Sequence, residues 1–339
     1  MKEVAVEQAV GTVLAHDITQ IIPGQYKGPK FKKGHIIAEE DIPLLLSMGK
    51  KHLFVLEKND TDVHENEAAY RIASKAAGEG IELTEPSEGK IELKAAVTGL
   101  LKIDRERLYQ LVSQDEIMFA TIHENIVVRQ GEKLAGTRII PLFVAEEVLK
   151  KAEAILGDTP IVKIAPLKEM KVGVVTTGSE VYNGIIKDAF GPVLVEKFGN
   201  LGSKVEKQLF ADDDDEMIAD CIRQLIDEGM DIVGITGGMS VDPDDRTPSG
   251  IRKAGGEVIS YGAPVLPGAM FMLSYIGDVP VVGLPGCVMY SRTSIFDLIV
   301  PRLLAGERIT KQDINGLAHG GLCLNCKTCT FPVCGFGKA

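Results

Sequence analysis

The chain has 339 residues, 25% charged and 45% hydrophobic, with six cysteines, no tryptophan and a formal net charge of −11. This balance excludes disordered and collagen-like architectures and describes a globular chain of more than one domain. No stretch reaches the roughly 18 uninterrupted apolar residues of a membrane helix. The opening MKEVAVEQAV carries acids where a signal peptide has a basic region and an apolar core, so a cytoplasmic chain without a membrane partner is expected. The acidic balance gives no general attraction to nucleic acid, and any phosphate has to be held by local geometry.

Pattern breaks near Ala165-Pro166 and after Arg308 divide the chain into three parts: 1–166, 167–308 and 309–339. In the first, short apolar segments alternate with the turn signals Ile22-Pro23-Gly24, Pro86-Ser87-Glu88-Gly89 and Arg129-Gln130-Gly131-Glu132, which reads as an α+β region. A short helix is expected from about Glu40 or Asp41 to Gly49, then a strand over 52–56. Helices are expected over 65–77 and 144–155, with Gly78 and Gly157 as stops. Lys27, Lys30, Lys32 and Lys33 read as a solvated basic loop.

From 167 to 308 short apolar runs alternate with amphipathic segments, the signature of βαβ units around a mainly parallel sheet. Strands are predicted over 171–175, 204–210, 231–236, 257–261, 270–276 and 279–283. Phe190, Val193, Leu194 and Phe198 fall at helical spacing, as do Ile218, Ile222, Leu225 and Ile226. The apolar pattern over 288–304 predicts one long helix, with Arg292 a turn inside it and placed to meet an anionic substrate.

Three of the strands run into glycine-containing turns: Thr176-Thr177-Gly178-Ser179-Glu180, Thr236-Gly237-Gly238-Met239-Ser240 and Gly283-Leu284-Pro285-Gly286. In a doubly wound sheet such turns face one crevice, where glycine lets backbone N–H groups approach a phosphate closely. The aspartates 212–215 open a helix, and Asp242, Asp244 and Asp245 follow the second turn. Most of these seven read as caps and turn residues, and two or three as holders of Mg²⁺ beside a phosphate.

These pieces, VVTTGSE, LFADDDDEMI, TGGMSVDPDDRTP, VLPGAMF and VGLPG followed by VMYSRTSIFDLIVPRLLAG, resemble in order the molybdopterin-binding domain shared by molybdopterin adenylyltransferases and molybdenum insertases. The resemblance covers about 171–306 and implies a three-layer α/β fold that binds the pterin and its phosphate at the strand ends. It implies catalytic roles for Asp212 or Asp213, the run leaving the register open by one, and for Asp245, which precedes Arg246, Thr247 and Pro248. Cofactor binding is implied at Thr177, Gly178, Ser179, Glu180, Gly237, Gly238, Met239, Ser240, Thr247, Pro285 and Gly286. Ser240 and Val241 are closer to the insertase form of the loop, and Asp245-Arg246-Thr247-Pro248 to the adenylyltransferase form. AVGTVLAHDI and FKKGHIIAEEDIPLLLSMGKKHLFVLE resemble insertase segments over about 1–57, while the insertase Asp-Gly-Tyr-Ala motif has no counterpart and 58–166 matches neither type.

The tail LCLNCKTCTFPVC spaces Cys323, Cys326, Cys329 and Cys334 as C-x2-C-x2-C-x4-C. Four thiols so close in a reducing compartment predict a metal centre, either an iron–sulfur cluster or zinc, with His319 a further candidate ligand. Cys221 reads as core, Cys287, next to the Pro-Gly turn, as a packing residue sooner than a ligand contact, and the remaining histidines show no ligand spacing.

The leading expectation is a molybdenum-cofactor protein that binds molybdopterin or its adenylylated form with Mg²⁺. Adenylyl transfer would bring in ATP, and molybdenum insertion would bring in molybdate. A non-catalytic carrier or sensor and a tail-dominated redox or metal-delivery protein are the alternatives. The resemblance also implies a homo-oligomer working beside other molybdenum-cofactor proteins.

Overall fold

A computed structural model describes residues 2–22, 26–56, 62–240, 242 and 245–338, without the side chains of Ile22 and Lys27. Pro23, Gly24, Lys58, Val241 and Asp244, which figure in the sequence analysis, lie outside the described residues. The chain forms two compact units, the first made of Met1–Lys94, Ile103–Ile122 and Lys133–Lys163, the second of Ala95–Lys102, His123–Glu132 and Ile164–Ala339. Among the described residues no helix is long and apolar enough to cross a membrane.

The first unit is α+β. Strand His52–Leu56 pairs antiparallel with Lys2–Ala5 and Val13–Leu14, and its alternating pattern buries Leu53 and Val55 with Val6, Leu14 and Leu45. Helix Glu65–Ala76 packs against the antiparallel strand Lys133–Ile139. Arg71 on this helix reaches Glu146 and Glu153 at 2.8 Å, and the hydrogen bonds it donates to Glu146 in particular raise its pKa. The helix predicted over 144–155 starts at Glu146, because Phe143–Ala145 is used as a strand against Asp62–His64. The lysine run is not wholly loop, since Tyr26–Phe31 pairs with Ile18–Ile22.

The second unit contains the mainly parallel sheet. Its strands are β1 (Lys171–Thr177), β2 (Lys204–Ala211), β3 (Ile232–Thr236), β4 (Glu257–Tyr261), β5 (Met272–Ile276) and β6 (Val279–Leu284). Their spatial order is β2-β1-β3-β6-β5-β4; β2, β1, β3 and β6 run parallel, β5 pairs antiparallel with β6, and β4 pairs antiparallel with β5. The helices are α1 (Ser179–Tyr182), α2 (Phe190–Gly199), α3 (Asp215–Asp227), α4 (Thr247–Lys253), α5 (Cys287–Tyr290), α6 (Ile295–Leu304) and α7 (Lys311–Gly316).

Two-residue periodicity sends neighbouring strand residues into two separate cores, which accounts for the near-continuous apolar runs in the sequence. Val172, Val174, Ile232, Val282 and Leu284 meet Leu194 and Phe198 of α2 and Phe296 and Ile299 of α6. Val175, Val233, Ile235 and Val281 meet Ile218, Ile222 and Leu225 of α3 and Ile251 of α4. Helices thus cover both faces, giving the three-layer arrangement. Pro192 sits in the first turn of α2, where its missing N–H costs nothing.

The single helix predicted over 288–304 is two. Ser291 is extended, and Ser294 starts α6 afresh: its hydroxyl accepts from Phe296 N at 3.3 Å, and its own N–H donates to Asp297 at 2.8 Å. Arg292 consequently lies between two helices rather than on one, and its guanidinium donates to the carbonyl of Lys327 at 3.3 Å.

The segment after 308 packs on the same core as α6, burying Ile309, Ile314 and Phe336. A parallel bridge ties it to the loop before β5: Leu266 N donates to Gly321 O and Cys323 N to Leu266 O, both at 2.8 Å. Helix α7 is fastened by Asp313, which accepts from Arg302 at 2.7 Å and from Thr310 N at 2.9 Å. Burial works to raise the Asp313 pKa, but the hydrogen bonds of Thr310 and Arg302 outweigh it and hold the group at about 2, below its ordinary 3.8. The ionised carboxylate therefore stabilises the fold above pH 3.8, and this contribution is lost as pH falls through about 2. In Asp313→Asn, melting temperature should fall less steeply over this acid window than in the parent chain; identical profiles would refute the linkage.

Candidate functional site

The turns after β1, β3 and β6 lie at the carboxyl ends of adjacent parallel strands, and the chain switches sides between β1 and β3. The first two turns are packed together backbone against backbone. Gly237 has φ +89°, and a Cβ added there would collide with the Thr177 carbonyl oxygen. Thr177 and Thr247 are buried; their hydroxyls lie 3.1 Å apart, and Thr247 donates to Gly237 O at 2.8 Å. Thr177 and Thr247, two predicted ligand residues, thus have their hydroxyls occupied inside the protein.

The four aspartates after β2 divide their tasks. Ser179 donates through its hydroxyl to Asp212 or Asp213, and Ser179 N donates to Asp213 at 2.9 Å. The Ser179 bond, helped by the N–H of Asp213, lowers the Asp212 pKa. Asp214 caps α3 by accepting from Met217 N at 2.8 Å. Asp215 accepts from Ser249 at 2.9 Å and Lys253 at 3.1 Å, and these contacts, Ser249 first, depress its pKa.

A cavity of about 550 Å³ opens at the strand ends, within the roughly 300–1,000 Å³ range of small-molecule pockets. Gly237, Gly238, Met239, Ser240, Asp245, Pro285, Gly286 and Cys287 line it. Thr177, Gly178, Ser179, Glu180, Asp212, Asp213 and Thr247 do not; they stand behind or beside the wall, and Glu180 is exposed. Tyr261 donates to the carbonyls of Met239 and Ser240 at 3.3 and 3.2 Å, fixing the second turn. Burial, then the charge of Asp245, raises the Tyr261 pKa. Burial likewise raises the thiol pKa of Cys287. Phe190 and Leu266–Met270 complete the wall. Sequence reasoning did not single these out as ligand residues, although VLPGAMF carried the signal for the latter.

Gly286 differs from the other turn glycines. Its φ is −52°, and a Cβ built on it meets nothing within 4 Å. Neither backbone conformation nor protein packing requires glycine there. Gly286 is exposed and lines the cavity.

Among the described residues no three His, Cys, Asp or Glu side chains converge on a position for one metal ion, the aspartates and tail cysteines included. Mg²⁺ ordinarily takes only one or two carboxylates, the other positions being filled by water and substrate phosphates. Asp245, in the cavity wall, is a donor of that kind. The tail cysteines form a separate group: Cys326 and Cys329 are exposed, while Cys323 and Cys334 pack partly against the core. The Thr293 hydroxyl lies 3.2 Å from Cys329 Sγ, and this contact, more than the charge of Arg292, lowers the thiol pKa. His319 is exposed and outside the tail cavity.

Residues 173–305 match the family model described as a probable molybdopterin binding domain, and residues 3–57 match a domain of unknown function. The molybdopterin molybdenumtransferase of Synechococcus elongatus is 26% identical over 190 residues, covering 52% of this chain and 45% of that protein. The molybdopterin adenylyltransferase of Pyrococcus furiosus is 31% identical over 100 residues, covering 30% and 58%. A CinA-like protein of Citrifermentans bemidjiense is 30% identical over 97 residues, covering 29% and 23%. The chain thus spans between 23% and 58% of the length of these curated relatives. Among solved structures, the tungsten cofactor synthesizing protein MoaB from Pyrococcus furiosus is 22% identical, covering 42% of this chain and 99% of that one, with a TM-score of 0.34. Residues 173–305 belong to the molybdopterin-binding domain family related to molybdenum-cofactor biosynthesis enzymes and CinA, and they follow an amino-terminal domain of unknown function.

Proposed function

We propose that the cavity binds molybdopterin or its adenylylated form, and that the chain acts in molybdenum-cofactor assembly by adenylyl transfer or molybdenum insertion. The observation that carries this reading is the strand-end cavity, lined both by the Gly237–Ser240 turn and by Gly286, a glycine that neither its φ nor its packing requires. Backbone N–H groups of Gly238, Met239 and Ser240 and the Ser240 hydroxyl are the donors for the terminal phosphate of the pterin. Leu266, Pro267 and Met270 give the pterin an apolar wall.

Adenylyl transfer is the chemistry for which these residues are best suited. An oxygen of the pterin phosphate attacks the α-phosphorus of ATP, and pyrophosphate departs with the electron pair of the broken P–O bond. Asp245 would hold Mg²⁺ together with phosphate oxygens, and Asp212 or Asp213 beside the first turn is the second acid of the catalytic set. When bound, the ion supplies neutralisation of the phosphate charges. Rate comes from holding the two phosphates in line and from stabilising developing charge. The loop's mixture of Ser240 with Asp245-Arg246-Thr247-Pro248 leaves insertion, with molybdate as substrate, as the other catalytic form of this reading.

A non-catalytic carrier is the second reading, favoured by the Ser179 hydrogen bonds that hold Asp212 and Asp213 outside the cavity wall. Such a carrier would pass bound cofactor to another molybdenum-cofactor protein. A homo-oligomer belongs to both readings; the apolar side chains of Ile185 and Phe210, 73% and 43% exposed, support it.

The test is anaerobic incubation of the full chain with molybdopterin, Mg²⁺ and ATP, following pyrophosphate and retained pterin together. Adenylyl transfer predicts pyrophosphate release, reduced at least about 100-fold in Asp245→Asn, with pterin retention unchanged. Retained pterin without pyrophosphate selects insertion or the carrier. Unchanged turnover in Asp245→Asn contradicts the assignment of the acid.

A further inference from the structure

Cys323, Cys326, Cys329 and Cys334 line a single cavity of about 500 Å³ that is separate from the strand-end crevice. Its opposite wall is the break between α5 and α6, residues Tyr290 to Thr293. The backbone around it is held by contacts that do not involve sulfur–sulfur bonding. Leu266 pairs with Gly321 and Cys323, Phe336 is buried in the core against Phe331 with ring centres 6.2 Å apart, and Arg292 binds the carbonyl of Lys327. The cysteines are thus held around a common space by the fold itself.

The four cysteines line one cavity. In an iron–sulfur cluster the ligating thiolates surround a body of several atoms rather than one shared point, and cysteines on the wall of one cavity offer that kind of donor set. The cationic side chains of Arg292 and Lys327 line the same cavity, where they offset the negative charge that thiolates acquire on releasing their protons to bind iron.

We propose that the tail cavity holds an iron–sulfur cluster ligated by Cys323, Cys326, Cys329 and Cys334. The proposal does not depend on pterin binding. The tail is nevertheless tied to the crevice wall, because Leu266, which lines the crevice, donates through its N–H to Gly321 O and accepts from Cys323 N.

Iron, acid-labile sulfide and zinc are to be measured in the full chain purified anaerobically from cells supplied with iron–sulfur assembly machinery, together with its visible absorption. The expected result is iron and sulfide in equal amounts with thiolate-to-iron charge-transfer absorption. Both should be lost in Cys326→Ser and Cys329→Ser and kept in Cys221→Ser. Because Cys326 and Cys329 are exposed, an unchanged far-ultraviolet circular dichroism spectrum should accompany the loss. Stoichiometric zinc in place of iron, iron without sulfide, or four freely titrating tail thiols with no metal would each overturn the proposal.

Discussion

The close approach of the β1 and β3 turns is the constraint on which the site depends. Gly237 adopts a left-handed conformation against the Thr177 carbonyl, and the Thr247 hydroxyl bonds to Gly237 and touches the Thr177 hydroxyl. This buried knot fixes where the second turn emerges, and hence where Gly238, Met239 and Ser240 present their backbone. A side chain at 237 would force the two strand ends apart, and both the conformational cost and the collision would oppose it. The site is therefore built on rigid strand ends and not on the loops that border it.

Four successive acids illustrate how local bonding assigns different roles to the same chemistry. Asp214 and Asp215 serve α3 and its junction with α4, whereas Asp212 and Asp213 hold the first turn through Ser179. Asp245 comes from a different segment and is, among the described residues, the acid in the cavity wall. An aspartate run read only as charge would miss this division. The decisive variable is the donor facing each carboxylate.

Much of the second unit was legible because its central strands are buried on both faces, so each shows as an uninterrupted apolar run ending in a glycine turn. The order of those turns along the sequence also suggested the crevice. The break at Ser291–Ser294 was hidden because Val288 and Ile295, seven residues apart on either side of it, keep a helical spacing; the four polar residues between, with Ser294 and Asp297 three apart, were the available signal. Phe190 reaches the crevice only through the three-dimensional fold, and nothing in its local pattern marks it as wall, whereas Leu266–Met270 lie within the recognisable VLPGAMF segment. In the first unit, short strands such as Phe143–Ala145 carry too few residues to display an alternation, and one was absorbed into the expected helix.

Gly286 allows the central claim to be tested with little interference from folding, since its φ of −52° suits any residue and open space surrounds the position of an added Cβ. The most direct measurement is molybdopterin binding by isothermal titration to the parent chain and to Gly286→Val, with melting temperatures determined in parallel. If the cavity holds the pterin phosphate, the variant should lose at least about tenfold in affinity, equivalent to roughly 1.4 kcal/mol, while its stability changes by no more than about 1 kcal/mol. Equal affinity in a normally folded variant would contradict the account.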